Sequence, residues 1–495
     1  MSDSELTAFY RAVDALVDYA DAYLGLDPAD ADWTRNRIFG LFGLNSYRPT
    51  GATGREHERP DALIAQLRET GIAAGLFDED DASSLCDQMF GIVSLTPSGI
   101  KNRFFDDVAA HGGSYAMDKL YDYSVKNNYV RLSVLEENPR FETNGLIVTI
   151  NKAKPEFKSS ATAKAGNAVA GGYPQCSICH ENEGFAGRAK FTLRTVPVTL
   201  GDRPWFWQFS PYGYFHEHGI VVNQEHKPMH VSRGTFRRLL DFVDQFPELF
   251  IGSNAALAGT GGSVLGHDHY QGGRETLPMH TAGTWKSLRC PDFPNVTVEI
   301  LDWHNTAVRV VSTDRDAIEE VSERIRDGWV NYRNDELGII PRDGDQVFSS
   351  VSPTVLMTDR GYEMSIIFRS NITSEEYPEG VFHAHPEYFA IKQESIGLIE
   401  AQGLFILPGR LDRQLAQIGE LLAEGQELPE ELNEFAGVFA ELRERVGDSR
   451  DRDVITQAIR DELGSVCQRI LRNTAVFKEH STTLSFLEDL GFIAE

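Results

Sequence analysis

The sequence predicts an α+β fold, in which helical segments at both ends of the chain flank a central region rich in β-strands. Residues 1 to about 140 repeat apolar side chains such as Phe9 and Val13 at helical spacing. Residues 141 to 410 contain β-branched and aromatic runs that are typical of strands. From residue 411 onward, acidic and arginine side chains alternate along amphipathic segments, which indicates a second helical extension.

The central region can be divided further from its pattern of strands and helices. The clearest predicted strands are Gly145–Ile150, Trp205–Phe209, Gly219–Asn223, Thr297–Leu301 and Ala307–Val311. Helices are predicted at Phe236–Gln245 and Asp316–Tyr332. These elements suggest two strand-rich units, 141–295 and 296–410, between a helical region 1–140 and a helical region 411–495. A polar stretch, Lys154–Gly172, predicts a mobile loop in the first unit.

Composition excludes several classes of protein. The 495 residues carry a formal net charge of −27, so non-specific binding to nucleic acid is not expected. A small phosphorylated substrate remains compatible, because a single pocket can be locally positive. No apolar run is long enough for a membrane helix, and five scattered cysteines do not form a disulfide framework. The N-terminus has no signal-peptide pattern, and a cytoplasmic location is expected.

The segment Gly266–Gly273 carries most of the predicted chemistry. In a β-strand, alternate side chains share one face, so His267, His269 and Gln271 would stand in a row. This row offers a nitrogen nucleophile, a second imidazole and an amide that can hold an oxyanion. The glycine-rich stretch before it, Gly259–Gly266, lacks the Walker pattern and is compatible with a turn that accommodates phosphate or with a plain loop.

A metal site is predicted nearby. Nine of the 14 histidines lie between positions 180 and 304, and the closely spaced pair Cys176 and Cys179 directly precedes this stretch. Two thiolates at this spacing can reach one Zn²⁺, with His226 and His267 as the further ligands. A pair of reduced cysteines without metal is the alternative. A second His-x-His, at His383 and His385, suggests that the two strand-rich units arose by duplication.

Several spaced motifs resemble those of the class II galactose-1-phosphate uridylyltransferases, distant members of the histidine-triad superfamily. The matching segments are Thr149–Pro155, Tyr173–Gly184, Trp207–Tyr212, His216–Met229, Gly252–Asn254, Gly261–Ser263, His267–Gly273, Ile391–Glu400 and Leu407–Arg410. The resemblance implies two histidine-triad-like half-domains with antiparallel sheet, and N- and C-terminal helical extensions. It also implies a homodimer.

The resemblance implies a ping-pong reaction that moves UMP from UDP-glucose to galactose 1-phosphate, with UDP-galactose as product. His269 matches the family nucleophile, Gln271 matches the amide that holds the uridylyl phosphate, and Ser263 matches the serine before the histidine strand. Substrate contacts are implied at Gln208, Ser210, Tyr212, Asn254, Lys392 and Glu400. By similarity to the class I enzymes, Cys176, Cys179, His226 and His267 form a structural zinc site.

Two other functions are also considered. One is a dinucleoside polyphosphate phosphorylase or hydrolase of the same superfamily, which would also use a histidine nucleophile. The other is a zinc-dependent binding protein without catalytic activity. The acceptor range, galactose 1-phosphate alone or also N-acetylhexosamine 1-phosphates, is left open, because a small change in a pocket can shift such a preference.

Overall fold

The computed structural model describes residues 3–152, 172–262 and 264–495, which contain 14 α-helices and 16 strands. Seven helices form the N-terminal region: α1 Asp3–Tyr19, α2 Ala31–Leu41, α3 Asp61–Ala73, α4 Glu79–Val93, α5 Pro97–His111, α6 Gly113–Lys126 and α7 Leu132–Glu136. Three more lie in the central region: α8 Arg233–Gln245, α9 Arg315–Val330 and α10 Leu398–Ala401. The C-terminal region contains α11 Arg410–Glu424, α12 Ala436–Val446, α13 Arg452–Thr474 and α14 His480–Asp489.

The strands form one large sheet and two small ones. The strands up to the middle of the chain are β1 Arg140–Thr143, β2 Leu146–Asn151, β3 Val196–Leu200, β4 Arg203–Phe209, β5 Gly219–Asn223, β6 Phe250–Gly252 and β7 His269–Gly273. The remaining strands are β8 Thr284–Cys290, β9 Phe293–Leu301, β10 Ala307–Ser312, β11 Arg342–Asp343, β12 Gln346–Val347, β13 Ser349–Thr358, β14 Gly361–Ser370, β15 Leu404–Pro408 and β16 Ile493–Ala494.

The large sheet has 11 antiparallel strands and consists of two halves with the same strand order. The first half runs β3-β4-β5-β7-β6 and the second runs β8-β9-β10-β14-β13, with β16 added at its edge. In each half one long helix, α8 or α9, lies between the third and fourth strands of the chain order. The halves meet where β6 pairs with β13. This repeat confirms the predicted pair of strand-rich half-domains.

The two faces of the large sheet have different partners. One face packs against α8, α9 and the N-terminal helices in a single apolar core, which includes Trp207, Phe242 and Trp329. On the other side, β1, β2 and β15 form a three-stranded sheet, and helices α11 to α13 pack against it in a second core. The strand β2, from the first unit, pairs in parallel with β15, from the second. The two units are therefore interleaved beside the large sheet.

Most elements predicted from the sequence are confirmed, including the α+β class, the antiparallel sheet and the helical extensions. The loop prediction for Lys154–Gly172 lies almost entirely outside the described residues. His383 and His385 lie in the loop beyond β14 and not on the strand that corresponds to β7. The boundaries at 140, 295 and 410 remain predictions from the sequence. None of the described helices combines the length and apolar character needed to cross a bilayer.

The buried indole of Trp329 on α9 provides a test of the core. Its ring stacks on Phe368 with centroids 5.2 Å apart, and its Nε1 donates a hydrogen bond to the Ser350 carbonyl oxygen at 2.8 Å. We expect Trp329→Ala to lower the free energy of unfolding by about 3–5 kcal/mol, because it removes this packing and leaves a cavity. Urea unfolding measures the change. The exposed Trp33 is the control, and Trp33→Ala should change stability by less than about 1 kcal/mol; equal effects would contradict the packing described.

Candidate active site

Strand β7 places two of the predicted catalytic side chains in one cavity. It lies between β5 and β6, with His269 opposite Val222 and Gln271 opposite Ile220. His269 and Gln271 both line a cavity of about 320 Å³. Tyr270 points to the opposite face, where its ring stacks on Trp205. The alternation of side chains along this strand is therefore as predicted.

The strand begins later than the sequence predicted. Regular pairing starts at His269, and His267 lies in the preceding turn, so the predicted strand over Gly266–Gly273 is wrong for its first three residues. The chain there is held by hydrogen bonds to the segment after β5: the Asp268 amide donates to the Lys227 carbonyl oxygen at 2.7 Å. As a result His267 does not share the cavity with His269, and its ring turns toward the cysteine pair.

One tautomer of His269 is selected by the backbone. Its Nδ1 lies 2.7 Å from the carbonyl oxygen of His267, and because a carbonyl only accepts, Nδ1 carries the proton. The other nitrogen, Nε2, then has a free lone pair. Burial lowers the pKa of the imidazole below its usual value, against a smaller opposing effect of the hydrogen bond to His267. At neutral pH His269 is therefore an uncharged nitrogen base within the cavity.

The side chains of the four predicted metal ligands lie close together, near the start of β7. The Sγ atoms of Cys176 and Cys179 are 3.4 Å apart. His267 Nδ1 lies 3.4 Å from the Cys176 sulfur, and His226 Nδ1 lies 3.3 Å from the Cys179 sulfur. The ring of His267 is oriented from its other side, since Nε2 donates to the Asn223 carbonyl oxygen at 2.7 Å. This group of four side chains, which we call the Cys/His cluster, could hold a metal ion.

The other predicted contact residues are divided between the cavity and its surroundings. Gln208, Ser210, Asn254 and Glu400 line the cavity. Tyr212 does not line it, and its side chain is 46% exposed. Ser263 lies outside the described residues. Next to it, Gly261 lines the cavity with a φ of +89°, and a Cβ atom there would lie 2.3 Å from the Cα of Gly397. This close contact brings the first and second halves together at the cavity wall.

Lys392 lies behind the cavity wall, in a buried group of charges. Its ammonium contacts Glu394 at 2.8 Å and Glu400 at 2.7 Å, and it donates to the carbonyl oxygen of Ile406 at 3.0 Å. Two of these contacts, to Glu394 and to Ile406, are hydrogen bonds, and the contact to Glu400 is an ion pair. Glu394 and Glu400 also line the cavity, so this side presents carboxylates with one net negative charge. The lysine balances one of the two carboxylate charges and does not itself line the cavity.

Comparisons with known proteins show the family of the chain. Residues 26–228 match the family described as "Galactose-1-phosphate uridyl transferase, N-terminal domain". A galactose-1-phosphate uridylyltransferase of Bifidobacterium longum subsp. longum is 55% identical over 99% of this chain and 100% of its own. The enzyme of the same name from Streptococcus mutans is 34% identical over 93% of this chain and 95% of its own. The chain belongs to the galactose-1-phosphate uridylyltransferase family. The resemblance inferred from the motifs is thereby confirmed.

A solved structure, the yeast Ap4A phosphorylase Apa2, is also similar. It shares 12% sequence identity with a TM-score of 0.33, and the match covers 64% of this chain and 90% of that chain.

Two cavity residues of this uridylyltransferase family member were missed from the sequence. His218 is buried and lines the cavity, next to the side chain of Gln271. Burial lowers its pKa to about 4. Lys190 lines the cavity from the loop that follows the cysteine pair. The position of His218 could have been recognised from the sequence, because alternate residues share a face and His218 lies two residues before Ile220, which pairs with Gln271 on β7. No sequence pattern marks Lys190.

The group around Lys392 predicts a loss of stability when its cation is removed. We expect Lys392→Met to lower the free energy of unfolding by about 3–5 kcal/mol, because two buried carboxylates lose their cation. Urea unfolding at neutral pH measures this.

The matched control for this prediction is a lysine at the surface. Lys152 forms an exposed ion pair with Asp412 at 3.0 Å, and we expect Lys152→Met to change stability by less than about 1 kcal/mol. In the triple variant Lys392→Met, Glu394→Gln, Glu400→Gln, the loss should be smaller than in Lys392→Met, because no buried charge is left without a partner. Equal losses in Lys392→Met and Lys152→Met would contradict the assignment of buried charges.

Proposed function

We propose that the chain transfers a uridylyl group from UDP-glucose to galactose 1-phosphate through a covalent intermediate on His269. The observation that carries this proposal is the geometry of His269. It is an uncharged imidazole with Nδ1 held by the His267 carbonyl oxygen and lies in the wall of a cavity. Membership of the uridylyltransferase family supports the substrates, and the cavity of about 320 Å³ falls within the range found for small-molecule sites.

The reaction has two displacements at the same phosphorus. Nε2 of His269 attacks the α-phosphorus of UDP-glucose, the N–P bond forms, and the bond from the α-phosphorus to the bridging oxygen breaks. Glucose 1-phosphate leaves with that oxygen and its electron pair. A phosphate oxygen of galactose 1-phosphate then attacks the same phosphorus, the N–P bond breaks, and UDP-galactose leaves. Splitting the transfer in this way replaces one difficult step by two easier ones.

The residues of this chain act mainly by positioning and by electrostatics. The bond from His269 Nδ1 to the His267 carbonyl oxygen aims Nε2 and stabilises the positive charge that the ring gains as the N–P bond forms. Gln271, on the same face of β7, supplies an amide N–H for the uridylyl phosphate. The sugar phosphate is a good leaving group, so no strong general acid is required. Gln208 and Ser210 are proposed contacts of the uridine.

The acceptor side of the cavity is formed by the second half of the chain. Glu400 and Asn254 line it, and the Asn254 Oδ1 accepts a hydrogen bond from the Leu398 amide at 2.9 Å. The carboxylates of Glu394 and Glu400, held by Lys392, suit the hydroxyl groups of a hexose. Lys392 itself is proposed to position these carboxylates. The homodimer rests on the resemblance and the cytoplasmic location on the sequence composition, and both stay predictions.

We also propose that the Cys/His cluster holds a structural zinc ion. Zinc lies about 2.3 Å from sulfur and about 2.0 Å from nitrogen in tetrahedral sites, so its ligand atoms are about 3.3–3.8 Å apart. The cluster distances of 3.3, 3.4 and 3.6 Å fit this set. All four positions are protein ligands, which is typical of a structural site. The ion would fix His267 and, through its carbonyl oxygen, the orientation of His269.

Removal of the nucleophile tests the proposed reaction. We expect His269→Gly to reduce transfer by at least about 10⁴-fold, because no other group can form the covalent bond, while the fold is retained. Intact-mass spectrometry after incubation with UDP-glucose should show one added uridylyl group on the wild-type chain and none on the variant. His111→Ala, at an exposed histidine, is the control and should behave as the wild type.

The same incubation separates the other two functions. Without an acceptor, a transferase releases about one equivalent of glucose 1-phosphate per chain and stops, whereas a hydrolase continues. A binding protein without catalytic activity gives no adduct in the wild type and no release. Continued release of glucose 1-phosphate, or the absence of both adduct and release, would contradict the proposed transfer.

The proposed zinc site makes a prediction that does not depend on activity. We expect Cys179→Ser to reduce the zinc content from about one ion per chain to near zero, because a hydroxyl is a poor zinc ligand beside a thiolate. Elemental analysis of the purified chain measures the content. Cys86 is buried outside the cluster, and Cys86→Ala should retain the metal. Equal zinc contents in both variants would contradict the assignment.

A further inference from the structure

The proposed substrates carry several negative charges, and the cavity offers very little positive charge to bind them. The chain has a net charge of −27, and Glu394 and Glu400 line the cavity. Among the described residues that line the cavity, Lys190 is the one lysine or arginine. Within this part of the chain, a diphosphate in the cavity therefore has one lysine or arginine side chain available.

Lys190 is held in position by its own backbone. Its amide donates to the Phe185 carbonyl oxygen at 3.1 Å, and its carbonyl oxygen accepts from the amides of Gly184 at 3.0 Å and Leu193 at 3.2 Å. This loop follows directly from the cysteine pair of the Cys/His cluster. The backbone of Lys190, from which its side chain extends, is therefore fixed in position relative to His267 and the proposed nucleophile His269.

The ammonium group of Lys190 also has a defined partner. Its Nζ donates a hydrogen bond to the Tyr129 hydroxyl at 3.2 Å and lies 5.4 Å from the centroid of that ring. Tyr129 is itself buried and forms part of the cavity wall. Among the described residues, this bond uses one hydrogen of the ammonium, and two remain for a ligand. Lys392, by contrast, is buried against Glu394 and Glu400 and does not line the cavity.

We propose that Lys190 binds a phosphate oxygen of the nucleotide substrate and so sets the affinity of the cavity for uridine diphosphates. The inference rests on the proposed function, because it takes a nucleoside diphosphate sugar as the ligand. Its basis is that Lys190 alone supplies positive charge among the described lining residues, with an oriented ammonium that is not fully used. A charged hydrogen bond of this kind contributes more than a neutral one.

Binding to a chain that cannot react tests the proposal. Isothermal titration of the full-length His269→Gly protein with UDP and with uridine is compared with the same titrations of Lys190→Met, Lys190→Arg and Lys101→Met in that background. We expect Lys190→Met to weaken UDP binding by about 10- to 100-fold and to leave uridine binding within about twofold. Lys190→Arg, which keeps the charge, should retain most of the UDP affinity. Lys101 is exposed, so Lys101→Met controls for a charge lost at the surface.

Each other outcome contradicts the proposal. Equal weakening of UDP and uridine by Lys190→Met would mean that the lysine contacts the nucleoside or supports the fold. Unchanged UDP binding, or the same weakening by Lys101→Met, would mean that no phosphate contact exists. These results are separate from a failure of the proposed function. If the wild-type chain forms the uridylyl adduct while Lys190→Met binds UDP normally, the lysine inference alone is wrong; if no adduct forms in the wild type, the proposed function is wrong.

Discussion

One hydrogen bond, from His269 Nδ1 to the carbonyl oxygen of His267, connects the two functional parts of the site. It determines which nitrogen of His269 faces the cavity and orients the ring, while burial keeps the ring uncharged. The side chain of the same His267 belongs to the Cys/His cluster, where its other nitrogen is fixed by the Asn223 carbonyl oxygen. A residue of the cluster therefore orients the proposed nucleophile through its backbone, and the cluster contributes to the geometry of the cavity without lining it.

The two halves of the large sheet share a strand order but have different tasks. The first half supplies strand β7, which carries the proposed nucleophile His269, and the strands that carry Gln208 and Ile220. The second half supplies the loop and helix α10 that close the cavity with Glu394, Ser395 and Glu400. The shared strand order agrees with the predicted duplication, and the strand β14, which corresponds to β7, carries no histidine. His383 and His385 lie in a loop, hydrogen-bonded to nearby carbonyl oxygens.

Short sequence patterns predicted those features of the site that depend on the local geometry of the chain. The alternation of a β-strand placed His269 and Gln271 on one face, and the spacing of Cys176 and Cys179 predicted a shared ligand site. The partners of Lys392 could not be predicted in this way, because they depend on how the loop at 394 to 400 folds back against β15. Lys190 was missed for the same reason: its role depends on the position of Tyr129, 61 residues earlier in the chain.

The contact between Gly261 and Gly397 limits how the cavity can be remodelled. The backbone of Gly261 has a positive φ and approaches Gly397 so closely that any side chain would overlap it. Substitution of Gly261 by a residue with a side chain would push the two halves of the cavity wall apart. Attempts to enlarge the pocket for a bulkier sugar therefore have more freedom at Ser395, where a side chain already faces the cavity, than at the glycine turn.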